Sequence, residues 1–142
     1  MIFDSWLNRR SFFIWAIVPT IIFMVIFSWS CNSQHKIEPA PVAGDPLAEK
    51  GRLVAKGAGC FACHSVDGTK LVGPTWKGLY GQKRKFSNVS IEVIADDAYI
   101  RESIESPSAK IVAGYSNQMP VFKGILSAEQ IDSIVAYIKS LK

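Results

Sequence analysis

Residues 60–64 read CFACH, so two of the chain's three cysteines stand three apart and one of its two histidines follows at once. No other stretch constrains the fold as much, because each use of it demands a different surrounding. A disulfide or a redox dithiol has no need of the adjacent histidine, and the βαβ pattern expected around a thioredoxin-like pair is absent. A structural zinc site normally takes four Cys or His ligands. Cys60, Cys63 and His64 leave such a site at least one ligand short, with no second pair downstream.

One chemistry uses all three residues in this order. C-x-x-C-H is the attachment signature of c-type haem: two thioethers fix the porphyrin edge, and the next residue delivers a nitrogen to the iron. Cys60 and Cys63 are therefore expected to bind one haem c covalently, with His64 as an axial metal ligand. The surrounding periodicity agrees. A first helix starts at Asp45-Pro46, with Leu47, Gly51 and Val54 on one face. A second begins near Asp96 or Asp97, gathers Tyr99, Ile100 and Ile104, and stops at Pro107. The last opens on the capping-box spacing of Ser127–Gln130 and carries a stripe of Ile131, Ile134, Val135, Ile138 and Leu141. Brief alternation at Val89, Ile91 and Val93 allows a short hairpin. Three short helices supply little core for a domain this small, and a buried haem fills the deficit. The only methionine near them, Met119, precedes Pro120 in a loop between two helices. It is the expected second metal ligand, a pairing that raises the haem potential and closes the iron to outside ligands.

The N-terminal part reads differently. Residues 11–30, SFFIWAIVPTIIFMVIFSWS, carry no charge. As a helix they span about 30 Å, the thickness of a bilayer's hydrocarbon core. Pro19 would kink this span, which membrane helices tolerate, and Trp15 and Trp29 stand towards its ends, where indole rings favour the interface. Arg9 and Arg10 precede the span, so the N-terminus is expected to stay cytoplasmic and the rest to be exported. The organisation expected is thus residues 1–10 in the cytoplasm, 11–30 as a transmembrane anchor, 31–45 as a proline-containing linker and 46–142 as the haem domain. The apolar stretch exceeds that of an ordinary secretory signal. Cleavage with lipidation at Cys31 is the alternative to a retained anchor. His35 falls in the linker and reads as solvated.

Cys60-x-x-Cys-His, Gly73-Pro74, Met119-Pro120 and a last helix containing Tyr137 together resemble a class I cytochrome c. The likeness covers essentially all of 46–142. More narrowly, LVGPTWKGLYGQ and ESPSAKIVAGYSNQMP resemble the cytochrome domain fused to subunit II of caa3-type oxidases. The anchored, single-haem form is also similar to the mono-haem cytochrome subunit of alternative complex III. The resemblance implies an all-α fold, a small helical domain around one covalent haem, preceded here by one N-terminal transmembrane helix. It implies further that the Pro74 carbonyl orients His64, that Gly51 and Tyr137 meet at a helix crossing, and that Trp76, Leu79 and Tyr115 line the haem pocket. In one place the chain departs from the pattern. Relatives often carry an arginine facing a haem propionate after the glycine at position 81, whereas this chain has Gln82. Lys83, Arg84 or Lys85 would have to compensate, against the more ordinary reading of a solvated basic run.

The function expected is single-electron transfer with no substrate chemistry, by a carrier in a respiratory or photosynthetic chain, as a subunit of a membrane oxidoreductase or docked to one. Redox protein partners such as a quinol-oxidising complex or a terminal oxidase are expected, and neither a nucleic acid nor a small-molecule substrate. From residue 32 onward 14 Lys and Arg stand against 11 Asp and Glu, a net +3 that is a modest indication of a partner with an acidic docking face. The expected location is the bacterial cytoplasmic membrane, in a single pass, with the haem domain on the periplasmic or outer face. The rival class is a gas sensor or peroxidase-like enzyme in which Met119 is displaced.

Overall fold

The computed structural model describes residues 44–142, all within one unit of the chain, Pro39–Lys142. Helix α1, Pro46–Gly57, begins where the sequence places it. The Asp45 carboxylate accepts from the backbone N–H groups of Leu47 and Ala48, and Pro46 takes the first helical position. Its inward face is shifted by one residue from the expected one. Ala48, Gly51, Arg52 and Ala55 are buried, while Leu47 is 47% exposed. The reason is steric: small residues let this helix approach a neighbour's backbone, and leucine would hold it off.

Helix α2, Asp97–Glu105, is capped by Asp96 and buries Tyr99, Ile100 and Ile104. Pro107 ends it and opens a single 3-10 turn, Pro107–Ala109. Helix α3, Ala128–Ser140, carries the reciprocal capping box between Ser127 and Gln130. It buries Ile131, Ile134, Val135 and Ile138 as expected, and Ser133 and Tyr137 besides, while Leu141 lies just beyond it, half-buried.

α1 and α3 make the most extensive helix–helix contact. A Cβ placed on Gly51 would stand 1.8 Å from the Ser133 carbonyl oxygen, so the two backbones touch there. Gly51 therefore meets the chain one turn before Tyr137. The hairpin also differs from the expected one. Strands β1, Lys83–Lys85, and β2, Glu92–Ile94, pair antiparallel with Arg84 opposite Val93. Val89 and Ile91 belong to the connection. The fold is thus helical with one short ribbon. Among the described residues no helix is long and apolar enough to cross a membrane. The predicted span at 11–30, the linker and Cys31 lie outside them.

Candidate haem site

Between Gly59 and Pro74 the chain doubles back on itself and holds His64 in a backbone clamp. The 3-10 turn Cys60–Ala62 leads into it, with the Cys63 and His64 N–H groups donating to the Cys60 carbonyl. On either side of His64, the Gly73 N–H donates to the Cys63 carbonyl and the Trp76 N–H to the Ser65 carbonyl, each at 2.8 Å. The imidazole is fixed from three directions. Its Nδ1 lies 2.7 Å from the Pro74 carbonyl oxygen, the indole of Trp76 stacks on it at 5.2 Å, and Gly73 lies against its face. A Cβ on Gly73 would come within 2.6 Å of Cε1. Burial holds the His64 pKa below its usual value, with the Pro74 carbonyl acting in the opposite sense. A neutral ring with Nδ1–H donating to Pro74 leaves the lone pair on Nε2, which has no hydrogen-bond partner among the described residues.

Phe61, Trp76 and Tyr137 pack edge to face behind this clamp, with ring centroids 5.6–6.2 Å apart. In front of it opens a cleft with about 1170 Å³ of empty space, its mouth included. All eight site residues expected from the sequence line this one cleft: Cys60, Cys63, His64, Pro74, Trp76, Leu79, Tyr115 and Met119. They come from the 60–64 turn, the 74–79 loop and the long loop between α2 and α3. That last loop is tied down by Asn88, whose side-chain amide donates to the Ser108 and Ala109 carbonyls and whose Oδ1 accepts from the Ile111 N–H. The Phe122 N–H donates back to the Ile104 carbonyl. Met119 is half-buried and packs against the core.

Several lining residues escaped sequence reading. Ile100, Ile104 and Ile138 face the cleft from α2 and α3, and Val112 and Phe122 from the loop. Their helical stripes signalled burial without saying against what. The contribution of Gly73 was hidden for another reason: its use lies in what the side chain leaves out.

The residues fit a haem. The walls are mostly apolar, no carboxylate lines the cleft, and no cluster of three or more His, Cys, Asp or Glu exists among the described residues to hold a bare metal ion. Cys60 and Cys63 form no disulfide. Burial, with a smaller contribution from the neighbouring Cys63, pushes the Cys60 thiol up to about 11. Among the described residues one buried side-chain polar atom is orphaned, Nε of Arg84, and it too belongs to a residue of the cleft wall.

Comparison with known sequences agrees with this geometry. The family profile described as cytochrome c matches residues 48–142. Cytochrome c2 of Rhodoplanes tepidamans is 29% identical over 93 residues, covering 58% of this chain and 91% of that protein. Cytochrome c2 iso-2 of Magnetospirillum fulvum is 33% identical over 91 residues, with the same coverage. Among solved structures, cytochrome cH from Methylobacterium extorquens is 27% identical, with a TM-score of 0.49 over 66% of this chain and 97% of that one. The chain belongs to the cytochrome c family, and is an electron carrier with a covalent haem c and not an enzyme.

Proposed function

We propose that this protein is a membrane-anchored mono-haem cytochrome that relays single electrons within, or docked to, a respiratory or photosynthetic oxidoreductase complex. Cys60 and Cys63 would hold the haem, His64 and Met119 would ligate its iron, and Pro74, Trp76, Leu79 and Tyr115 would shape its pocket. The observation that carries the ligand set is the clamp on His64: Nδ1 committed to the Pro74 carbonyl at 2.7 Å, Nε2 without a partner, and Met119 in the wall of the same cleft. Bound there, the haem supplies an iron that exchanges one electron. The protein's share is to keep His64 neutral and oriented, to exclude water with the aromatic and aliphatic wall, and to present a thioether from the loop after α2.

The uncharged stretch 11–30 and the proline-bearing linker support tethering at a membrane face, with the haem domain exported. Tethering raises the local concentration at one partner at the expense of range. The likeness of LVGPTWKGLYGQ and ESPSAKIVAGYSNQMP to oxidase-fused cytochromes supports a complex over a free shuttle. In Met119→Ala the haem potential should fall and the reduced protein should bind CO. An unchanged potential would remove Met119 from the ligand set, and ready CO binding by the native protein would favour the sensor or peroxidase reading. Migration of the haem signal in mild detergent tests the assembly: alone it means a collisional carrier, with oxidase or quinol-oxidising subunits a built-in relay.

A further inference from the structure

Arg84 is the middle residue of β1 and the only one of Lys83-Arg84-Lys85 that turns inward. Its neighbours are exposed, and Lys83 reaches across the ribbon to Glu92 at 3.3 Å. Arg84 lines the cleft and its side chain makes no hydrogen bond or ion pair among the described residues, and its Nε is sealed from solvent without a partner. The other cation of the cleft wall, Lys110, is already paired with Glu102. No Asp or Glu lines the cleft, so the protein offers Arg84 no counter-charge on the side it faces. A sealed guanidinium N–H is expensive to leave unpaired, and most buried polar groups find a partner. Whatever neutralises Arg84 arrives with the occupant.

We infer that Arg84 is the cofactor's anion-binding residue, donating from its guanidinium to a haem propionate carboxylate. Gln82, at the edge of the ribbon, is exposed and does not line the cleft. The planar fork of arginine suits a carboxylate in two-point contact, which a lysine meets only as a point charge. Burial in the cleft wall strengthens the pairing relative to one in water. The ribbon thereby acquires a use, since its pleat turns one basic side chain in and the flanking two out. This inference rests on the haem occupying the cleft as proposed above.

The test compares the haem potential of the native protein, Arg84→Met and Arg84→Lys across the weakly acidic to neutral range. With Arg84 present the propionate stays ionised and the potential is flat there. In Arg84→Met the carboxylate loses its counter-charge and its pKa rises. The potential should drop at neutral pH and climb as pH falls, because protonation removes a negative charge that favours Fe(III). Arg84→Lys should restore most of the flat profile. A Met variant matching the native protein at every pH, with haem covalently attached and the Met–iron charge-transfer band intact, would overturn the assignment while leaving the ligand reading standing. Loss of that band or of covalent haem in the native protein would sink the ligand reading itself. Should Arg84→Met fail to fold, the reduced native protein decides: a slowly exchanging Arg84 Nε–H with a nuclear Overhauser contact to a propionate methylene supports the pairing. A rapidly exchanging Nε–H with no such contact refutes it.

Discussion

At the scale of single residues, the site depends on one side chain that is absent and one carbonyl that is present. Gly73 needs no special backbone conformation. It is a glycine because the imidazole of His64 occupies the space where a Cβ would stand. In Gly73→Ala the methyl group meets Cε1 at 2.6 Å and both ring nitrogens at 2.9 Å, and the ring must leave its bond to the Pro74 carbonyl. Overpacking of this kind costs about 1–3 kcal/mol. A lowered melting temperature together with an altered visible spectrum is the expected result, and native values for both would show that the ring has room to spare. The covalent haem was legible in the sequence because CFACH is a covalent grammar: cysteine spacing and an adjacent histidine admit few chemistries. Gly73 and Arg84 were not legible in the same way. A small residue beside a proline and a cation in a basic run each have an ordinary reading that only neighbours in space can displace.

Among the elements, the helices were legible from their caps and stripes, and α2 and α3 lie where Asp96, Pro107 and the Ser127–Gln130 box place them. The inward face of α1 was not, because hydrophobic periodicity favours Leu47 and Val54, whereas the crossing with α3 selects for smallness at Ala48, Gly51 and Ala55. Gly51→Ala tests that selection. Alanine is the better helix former by about 1 kcal/mol, yet its methyl would stand 1.8 Å from the Ser133 carbonyl. Net destabilisation of about 2 kcal/mol or more is expected from denaturant unfolding; a neutral or stabilised variant would mean the crossing is loose. A second tie joins three elements on the surface. The Asp97 carboxylate, at the start of α2, accepts from the Tyr80 hydroxyl at 2.7 Å and from Lys139 near the end of α3 at 3.0 Å. The Tyr80 hydrogen bond first, then Lys139, holds the Asp97 pKa below its ordinary 3.8. A lowered carboxylate pKa stabilises the fold above the unfolded value, and the contribution fades as pH falls through the folded one. Asp97→Asn should therefore unfold slightly more easily at neutral pH, a small effect for so exposed a pair. The gap to the native protein should close below pH 3.8. A gap that persists or widens in acid would assign the effect to something other than this carboxylate.

For the molecule as a whole, α1 and α3 make the main crossing, α2 and α3 also touch, and those last two face the cleft. Tyr99, Ile100, Ile104 and Ile138 belong both to the buried core and to the cleft wall, so a haem bound there would be part of the core and not a guest in it. The double variant Cys60→Ala, Cys63→Ala should hold no haem after denaturation and should lose cooperative unfolding even when haem is supplied in excess. Covalently retained haem would contradict the attachment, and an unchanged transition would contradict the structural role. Sequence alone indicated that such a body was needed, from the shortage of apolar helix. It gave no sign of which loop residues close around the haem, because contacts such as Asn88 to Ser108 and Ile111 join segments whose local patterns are silent about each other.

The half-buried position of Cys60 in the cleft wall adds a rule of timing. A thiol held at about 11 yields almost no thiolate at neutral pH and is a poor reagent once the chain has closed. Attachment is therefore favoured while the polypeptide is still loose, before packing. A chain that misses this moment keeps apolar walls open to solvent and to proteases. Haem delivery then acts as a checkpoint on abundance: under cofactor shortage, immunoblot and haem stain should decline together at constant transcript, with no lasting pool of empty protein.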